Sequence, residues 1–236
     1  MPKIYTYTEL LEMDAVDAFC ALQEEFTDQF VYYDKENPVR CMGLGRCIAV
    51  NAIEEVETAY QGPEKLAPIL FNFTRFDAEN PAPTDELFAS YPRLRLLLPE
   101  VVITEREGQA FLQVNSLGPV YSGRVNRFAK RALNAQKRER VSIPYTLESD
   151  SLETWTNEVN AGLSAIQKGI IRKIVLSRRL RLVDEKPFTS KNVLVNLIDG
   201  SARGVVFLYR YGDVFFCGCK QELLVRKEGN VIESEC

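Results

Sequence analysis

Residues 166–182, IQKGIIRKIVLSRRLRL, decide how the second half of this 236-residue chain is read. The stretch opens on a helix end, stops at Gly169, and continues as a predicted strand. Strand side chains alternate, so Lys173, Val175 and Ser177 share one face while Ile174 and Leu176 point the other way, most simply into a core. Two readings of Lys173 stand side by side. Partial burial strips hydration from an ammonium and favours the neutral amine, a usable base. The same pattern also describes a lysine that snorkels from a strand edge to water.

Upstream of this stretch, Leu152, Trp155, Val159, Leu163 and Ile166 fall at helical spacing and make one apolar stripe. Asp150 is placed to cap that helix, with Glu153 three residues on in a box-like arrangement. Downstream, Leu180 and Leu182 continue the alternation, and a helix is predicted over about 191–198, ended by Gly200. A strand meander follows at 204–210, 214–219 and 223–227, with turns at Tyr211-Gly212-Asp213 and Glu228-Gly229-Asn230. A last strand is expected over 231–236, leaving a partly apolar edge, so the chain reads as the front part of something larger.

The first half predicts a helix over 8–26, from Leu10, Leu11, Val16, Phe19, Cys20 and Phe26 near a 3.6 period. Strands are expected at 30–33, 46–50, 69–76, 94–98, 101–105 and 110–115, with Glu107-Gly108 as a hairpin turn between the last two. A short helix is expected over 54–61, a basic one over 124–140 with a solvated cationic face, and a linker over 141–148. Gly43-Leu44-Gly45 is not a dinucleotide fingerprint, because the third glycine position is Ile48 and a strand follows. Together the elements predict an α+β protein of mainly antiparallel sheets flanked by helices.

Composition narrows the chemistry. The chain is 46% hydrophobic and 26% charged, with net charge −4, so no basic surface for nucleic acid is announced. No apolar run approaches the roughly 18 residues a membrane helix needs. The N-terminus carries acids where a signal peptide would be apolar, which makes the cytoplasm the expected compartment. Six cysteines show no zinc-like spacing and are expected as free thiols. Histidine is absent, which excludes Ser-His and Cys-His triads and His-ligated metals within these residues.

The second half resembles the chorismate-utilising enzymes, and the whole chain looks most like the isochorismate synthases among them. The carrying residues are Trp155, Val159, Ala161, Ile166 and Gly169, then Lys173-Ile174-Val175-Leu176-Ser177-Arg178. Farther on, Phe216-Cys217-Gly218-Cys219-Lys220-Gln221-Glu222-Leu223-Leu224 is similar to the family's glycine followed by S-P-E-x-L. Arg75-Phe76-Asp77, Leu98-Pro99 and Leu112-Gln113-Val114-Asn115 fall in the family's order. The resemblance implies an N-terminal α+β region over 1–145 and the start of the chorismate-binding catalytic domain over 146–236.

It also implies two catalytic residues. Lys173 stands where the water-adding branches, isochorismate and salicylate synthases, carry lysine and the ammonia-adding branches, such as anthranilate synthase, carry glutamine. Water must lose a proton as it attacks, and an amine accepts one where an amide cannot. Glu222 matches the general acid that protonates the departing hydroxyl. Chorismate is then the substrate, Mg²⁺ the cofactor with ligands beyond residue 236, and menaquinone or a siderophore the destination. A second chain supplying the remaining half, or a catalytically incompetent relative, is the alternative. Lys220-Gln221 departs from the family's Ser-Pro and places a cation beside Glu222.

Overall fold

The computed structural model describes residues 3–36, 40–50, 57–74, 88–89, 91, 94–149, 151–220 and 225–234. The chain begins with strand β1 (Lys3–Leu11), where the sequence predicts the first turns of a helix. Ile4, Thr6 and Thr8 are buried on alternate positions, and the run Ile4-Tyr5-Thr6-Tyr7-Thr8 is β-branched or aromatic throughout. That period of two outweighs the 3.6 spacing seen from Leu10 onward. Helix α1 (Ala15–Leu22) starts where Asp14 accepts hydrogen bonds from the Val16 and Asp17 amides, so capping sets its boundary.

Strands β2 (Asp28–Asp34), β3 (Arg40–Leu44), β4 (Ile48–Val50), β5 (Glu57–Gln61), β6 (Phe71–Thr74), β7 (Leu94–Leu98), β8 (Val101–Arg106) and β9 (Gln109–Ser116) follow. The short helix expected over 54–61 is overturned for its described part, because β5 pairs in parallel with β1 from Lys3↔Glu57 to Tyr7↔Gln61. The turn between β8 and β9 is the expected one: Glu107 and Gly108 both have positive φ, 51° and 79°, as a two-residue hairpin requires.

Helix α2 (Ser122–Leu133) stops seven residues short of the expected end. Its cations are not simply solvated. Arg124 pairs with Glu100 at 2.6 Å, and Arg127 and Arg131 both engage Glu25. Beyond the helix, Arg138 reaches Asp14 at 2.5 Å, Asp17 at 3.0 Å and Asp199 at 3.4 Å. Burial opposes its charge, but the three carboxylates outweigh that and raise its pKa.

Strands β10 (Thr146–Ser149) and β11 (Leu180–Val183) enclose helix α3 (Leu152–Gln167) in the sequence. Helix α4 (Ser190–Gly200), the hairpin β12 (Val205–Tyr211) and β13 (Val214–Lys220), and the small hairpin β14 (Arg226–Glu228) and β15 (Val231–Glu233) complete the order. The main sheet has eight strands in the order β13-β12-β2-β3-β8-β9-β1-β5, antiparallel except for the β1–β5 pair. One face carries a core of Met42, Leu44, Ile103 and Leu112 against Phe19, Phe128 and Leu194 of the three helices α1, α2 and α4. A second cluster gathers Phe30, Phe71, Tyr91, Leu97 and Tyr209, with β4, β7 and β6 as a three-stranded sheet.

Two compact units result: residues 1–140 with 190–236, and residues 141–189. The chain returns to the first unit because β12 pairs with β2 over seven positions, from Val205↔Asp34 to Tyr211↔Asp28, burying Val206 and Leu208 in the main core. The overall class is the α+β arrangement of antiparallel-rich sheets and flanking helices.

Candidate functional site

The unit at 141–189 is built around α3. Ser151 accepts from the Thr154 amide at its N-terminus, and Asp150, the expected cap, lies outside the described residues. At the other end Gly169 takes φ +70°, the Ile170 amide donates to the Ala165 carbonyl and the Gly169 amide to the Ile166 carbonyl. Those two bonds form a Schellman stop, so the glycine ends the helix as expected and turns the chain back along it. β10 and β11 pair antiparallel from Thr146↔Val183 to Ser149↔Leu180. The expected linker over 141–148 therefore includes a strand.

Residues 171–179 make no strand ladder. The alternation that predicts a strand is present, but residues 171–178 have no strand neighbour among the described residues, and a ladder needs one. The chain instead runs antiparallel along α3. Ile174 packs over Gly162, where an added Cβ would sit 3.2 Å from the isoleucine Cγ2. Arg178 stacks over the Trp155 ring at 5.6 Å, a cation–π contact. Ile174 and Arg178 thus each touch the helix while staying partly open to solvent, and Lys173, Val175 and Ser177 are exposed. Gly162 is a packing position that the sequence reading does not single out. A glycine in the middle of a helical stripe was its signal, since it costs helix stability unless something approaches closely.

Lys173 is therefore an exposed lysine in this structure, and the burial that a desolvated base requires is not supplied by the described residues. Glu222, Gln221 and residues 75–77 lie outside the described residues, and no distance links Glu222 to Lys173. β13 runs to Lys220 as the edge strand of the main sheet, and the Phe207 ring lies 3.0 Å from where a Gly218 Cβ would be. Any side chain at 218 would push that ring aside, so the glycine fixes how β13 lies on β12. Burial pushes the Cys217 thiol up to about 11, which leaves it protonated near neutral pH. Cys20, Cys41, Cys47, Cys217 and Cys219 are free thiols, as expected. Among the described residues no group of three or more Cys, Asp or Glu could hold a metal. No helix is long and apolar enough to cross a membrane among the same residues.

A family model described as "chorismate binding enzyme" matches residues 2–236. The chain belongs to the chorismate-binding enzyme family. Isochorismate synthase MenF of Bacillus subtilis is 21% identical over 99% of this chain and 56% of its own length. The structure titled as MenF, the menaquinone-specific isochorismate synthase of Escherichia coli, superposes with a TM-score of 0.59 at 15% identity, covering 96% of this chain and 52% of that one. That superposition shows the chorismate-binding fold. The chain spans about half the length of these family members.

Proposed function

We propose that this chain carries out isochorismate synthesis as part of a chorismate-binding enzyme, with Lys173 as general base and Glu222 as general acid. The observation that carries the reading is the family match over residues 2–236 together with a lysine, not an amide, at position 173. In the reaction water attacks one ring carbon of chorismate while Lys173 takes its proton. Glu222 gives a proton to the hydroxyl leaving another carbon, and the ring double bond shifts between them. One water enters, one leaves, and the reaction is an isomerisation. Two groups of opposed protonation are needed at once, which is the reason for a lysine and a carboxyl.

Mg²⁺, when bound, would hold a substrate carboxylate and spread its negative charge. The described residues do not fit that ion, having no cluster of three ligands. The exposure of Lys173 and the missing ladder at 171–179 favour a form of the enzyme in which further polypeptide surrounds this segment. Menaquinone biosynthesis, the destination named for the Escherichia coli enzyme, is the destination we carry over.

The test is a fusion of this chain to the part of the Bacillus subtilis enzyme that it does not match, incubated with chorismate and Mg²⁺. Isochorismate is followed by chromatography. Product is expected, and Lys173→Ala is expected to lower turnover by at least about 100-fold with the circular dichroism unchanged. Product that survives Lys173→Ala would remove the lysine from the mechanism. An aminated product formed with added ammonium would move the chain to the ammonia-using branch.

A further inference from the structure

Among the residues of α3, Gly162 is the buried one, and the atoms that a Cβ there would meet both belong to Ile174. The isoleucine Cγ2 would lie 3.2 Å from that Cβ and its Cδ1 3.9 Å. A glycine in a helix interior is less favourable than alanine, because it gives up more backbone freedom on folding. Here the missing side chain leaves a notch in α3, and Ile174 is seated in it. An alanine methyl would be tighter than an ordinary contact, so Ile174 would have to give by a few tenths of an ångström.

The notch bears on the residue next to it. Lys173 directly precedes Ile174, and residues 171–178 have no ladder among the described residues to set their position. Two contacts hold the segment on α3 instead: Ile174 on Gly162, and Arg178 over the Trp155 ring. Seven helical residues rise about 10 Å and four extended ones span about 13 Å, so both contacts are met by one antiparallel run. Ile174 is β-branched and restricted at χ1. A push on its Cγ2 therefore passes to its backbone, and from there to Lys173, rather than being absorbed by a change of rotamer.

We propose that Gly162 is a positioning residue for Lys173: the notch in α3 seats Ile174, and the seated isoleucine sets where the adjoining amine meets the attacking water. That role rests on the isochorismate synthase reading, in which Lys173 is the general base. A reacting group misplaced by about 1 Å loses on the order of 100-fold in rate, so a shift of a few tenths predicts a smaller but measurable loss.

The test is Gly162→Ala in the fusion of this chain with the unmatched part of the Bacillus subtilis enzyme. kcat is expected to fall about fivefold with KM unchanged, because the amine moves and the substrate contacts do not. Amide exchange in α3 of the purified chain is expected to be no faster, since alanine is the better helix former. Ile174→Ala vacates the notch, and adding Gly162→Ala in that background is expected to lower kcat no further. Gly123→Ala, the same change in α2 where nothing lies within 4 Å, is expected to leave turnover unchanged. Should Gly162→Ala disturb folding, Ile174→Leu carries the test from the other side: it keeps the volume, has no branch at Cβ to seat, and is expected to lower kcat with KM unchanged. Unchanged kcat for Gly162→Ala in a fusion that needs Lys173 would overturn the positioning role and leave the functional reading standing. So would an equal loss with and without Ile174→Ala, or a loss that follows faster exchange in α3. Product that survives Lys173→Ala, or no product from the fusion, retires the functional reading, and Gly162 then has no amine to position.

Discussion

The sheet unit and the unit at 141–189 treat their apolar residues in opposite ways. In the first, Phe19, Phe30, Met42, Leu44, Ile103 and Leu112 have no exposed surface, and three helices close one face of an eight-stranded sheet. In the second, α3 buries only Gly162, and the apolar stripe through Leu152 and Leu163 stays exposed. Both carry the same patterning in sequence. The difference is that the first has a neighbour for every buried face, and the second has one helix, one pair of strands and a segment, 171–178, outside any ladder. Apolar periodicity states which face will be covered, not by what.

The comparison is broken most readily by large-to-small substitutions. Phe19→Ala should cost about 3–5 kcal/mol in chemical denaturation, because it opens a cavity in a filled core. Val175→Ala should change stability by no more than about 0.5 kcal/mol. A comparable cost at both positions would show that 141–189 has a core of its own.

Alkaline pH separates the units chemically, since the described cysteines all lie in the sheet unit. Burial raises the thiols of Cys20 and Cys41 from 9.0 to about 11. A folded-state pKa above the unfolded one means that the stability is intact below about 9 and is lost as pH rises towards 11. Cys20 alone should contribute a loss on the order of 2 kcal/mol across that window. Denaturation midpoints between pH 8 and 11 measure it, and Cys20→Ala should flatten the slope.

Gly43→Ala should cost about 1–3 kcal/mol, because the new methyl would lie 2.5 Å from Pro99 Cγ and 2.9 Å from Phe71 Cε2. In the other unit, Ser151→Ala should cost about 1 kcal/mol through the lost cap, read as faster amide exchange at the start of α3. A loss at Ser151 that matched Gly43 in global denaturation would tie α3 to the main folding unit.

What was legible in the sequence follows the same division. Strands β7, β8 and β9 and their hairpin turn were readable, because alternation and an Glu107-Gly108 turn are local signals. The Gly169 stop of α3 was readable for the same reason. The end of β1, residues 8–11, carries a helical expectation because Leu10 and Leu11 fit a helical period, while Ile4, Thr6 and Thr8, the residues that bury, are mostly polar in type. β5 is not legible locally because its partner among the described residues, β1, lies more than fifty residues away. The family was legible from the segment around Lys173, yet its strand character depends on neighbours that no local pattern specifies. The contact of Ile174 with Gly162 was visible only once the chain turned back along α3.

The most direct test of this account is amide hydrogen exchange on the purified chain across residues 166–182, with β8 as the internal reference. The account predicts strong protection in β8, which pairs on both sides with β3 and β9, and near-unprotected exchange at 171–178. Protection of 171–178 equal to that of β8 in the isolated chain would contradict it, because the segment would then be held in a ladder of its own.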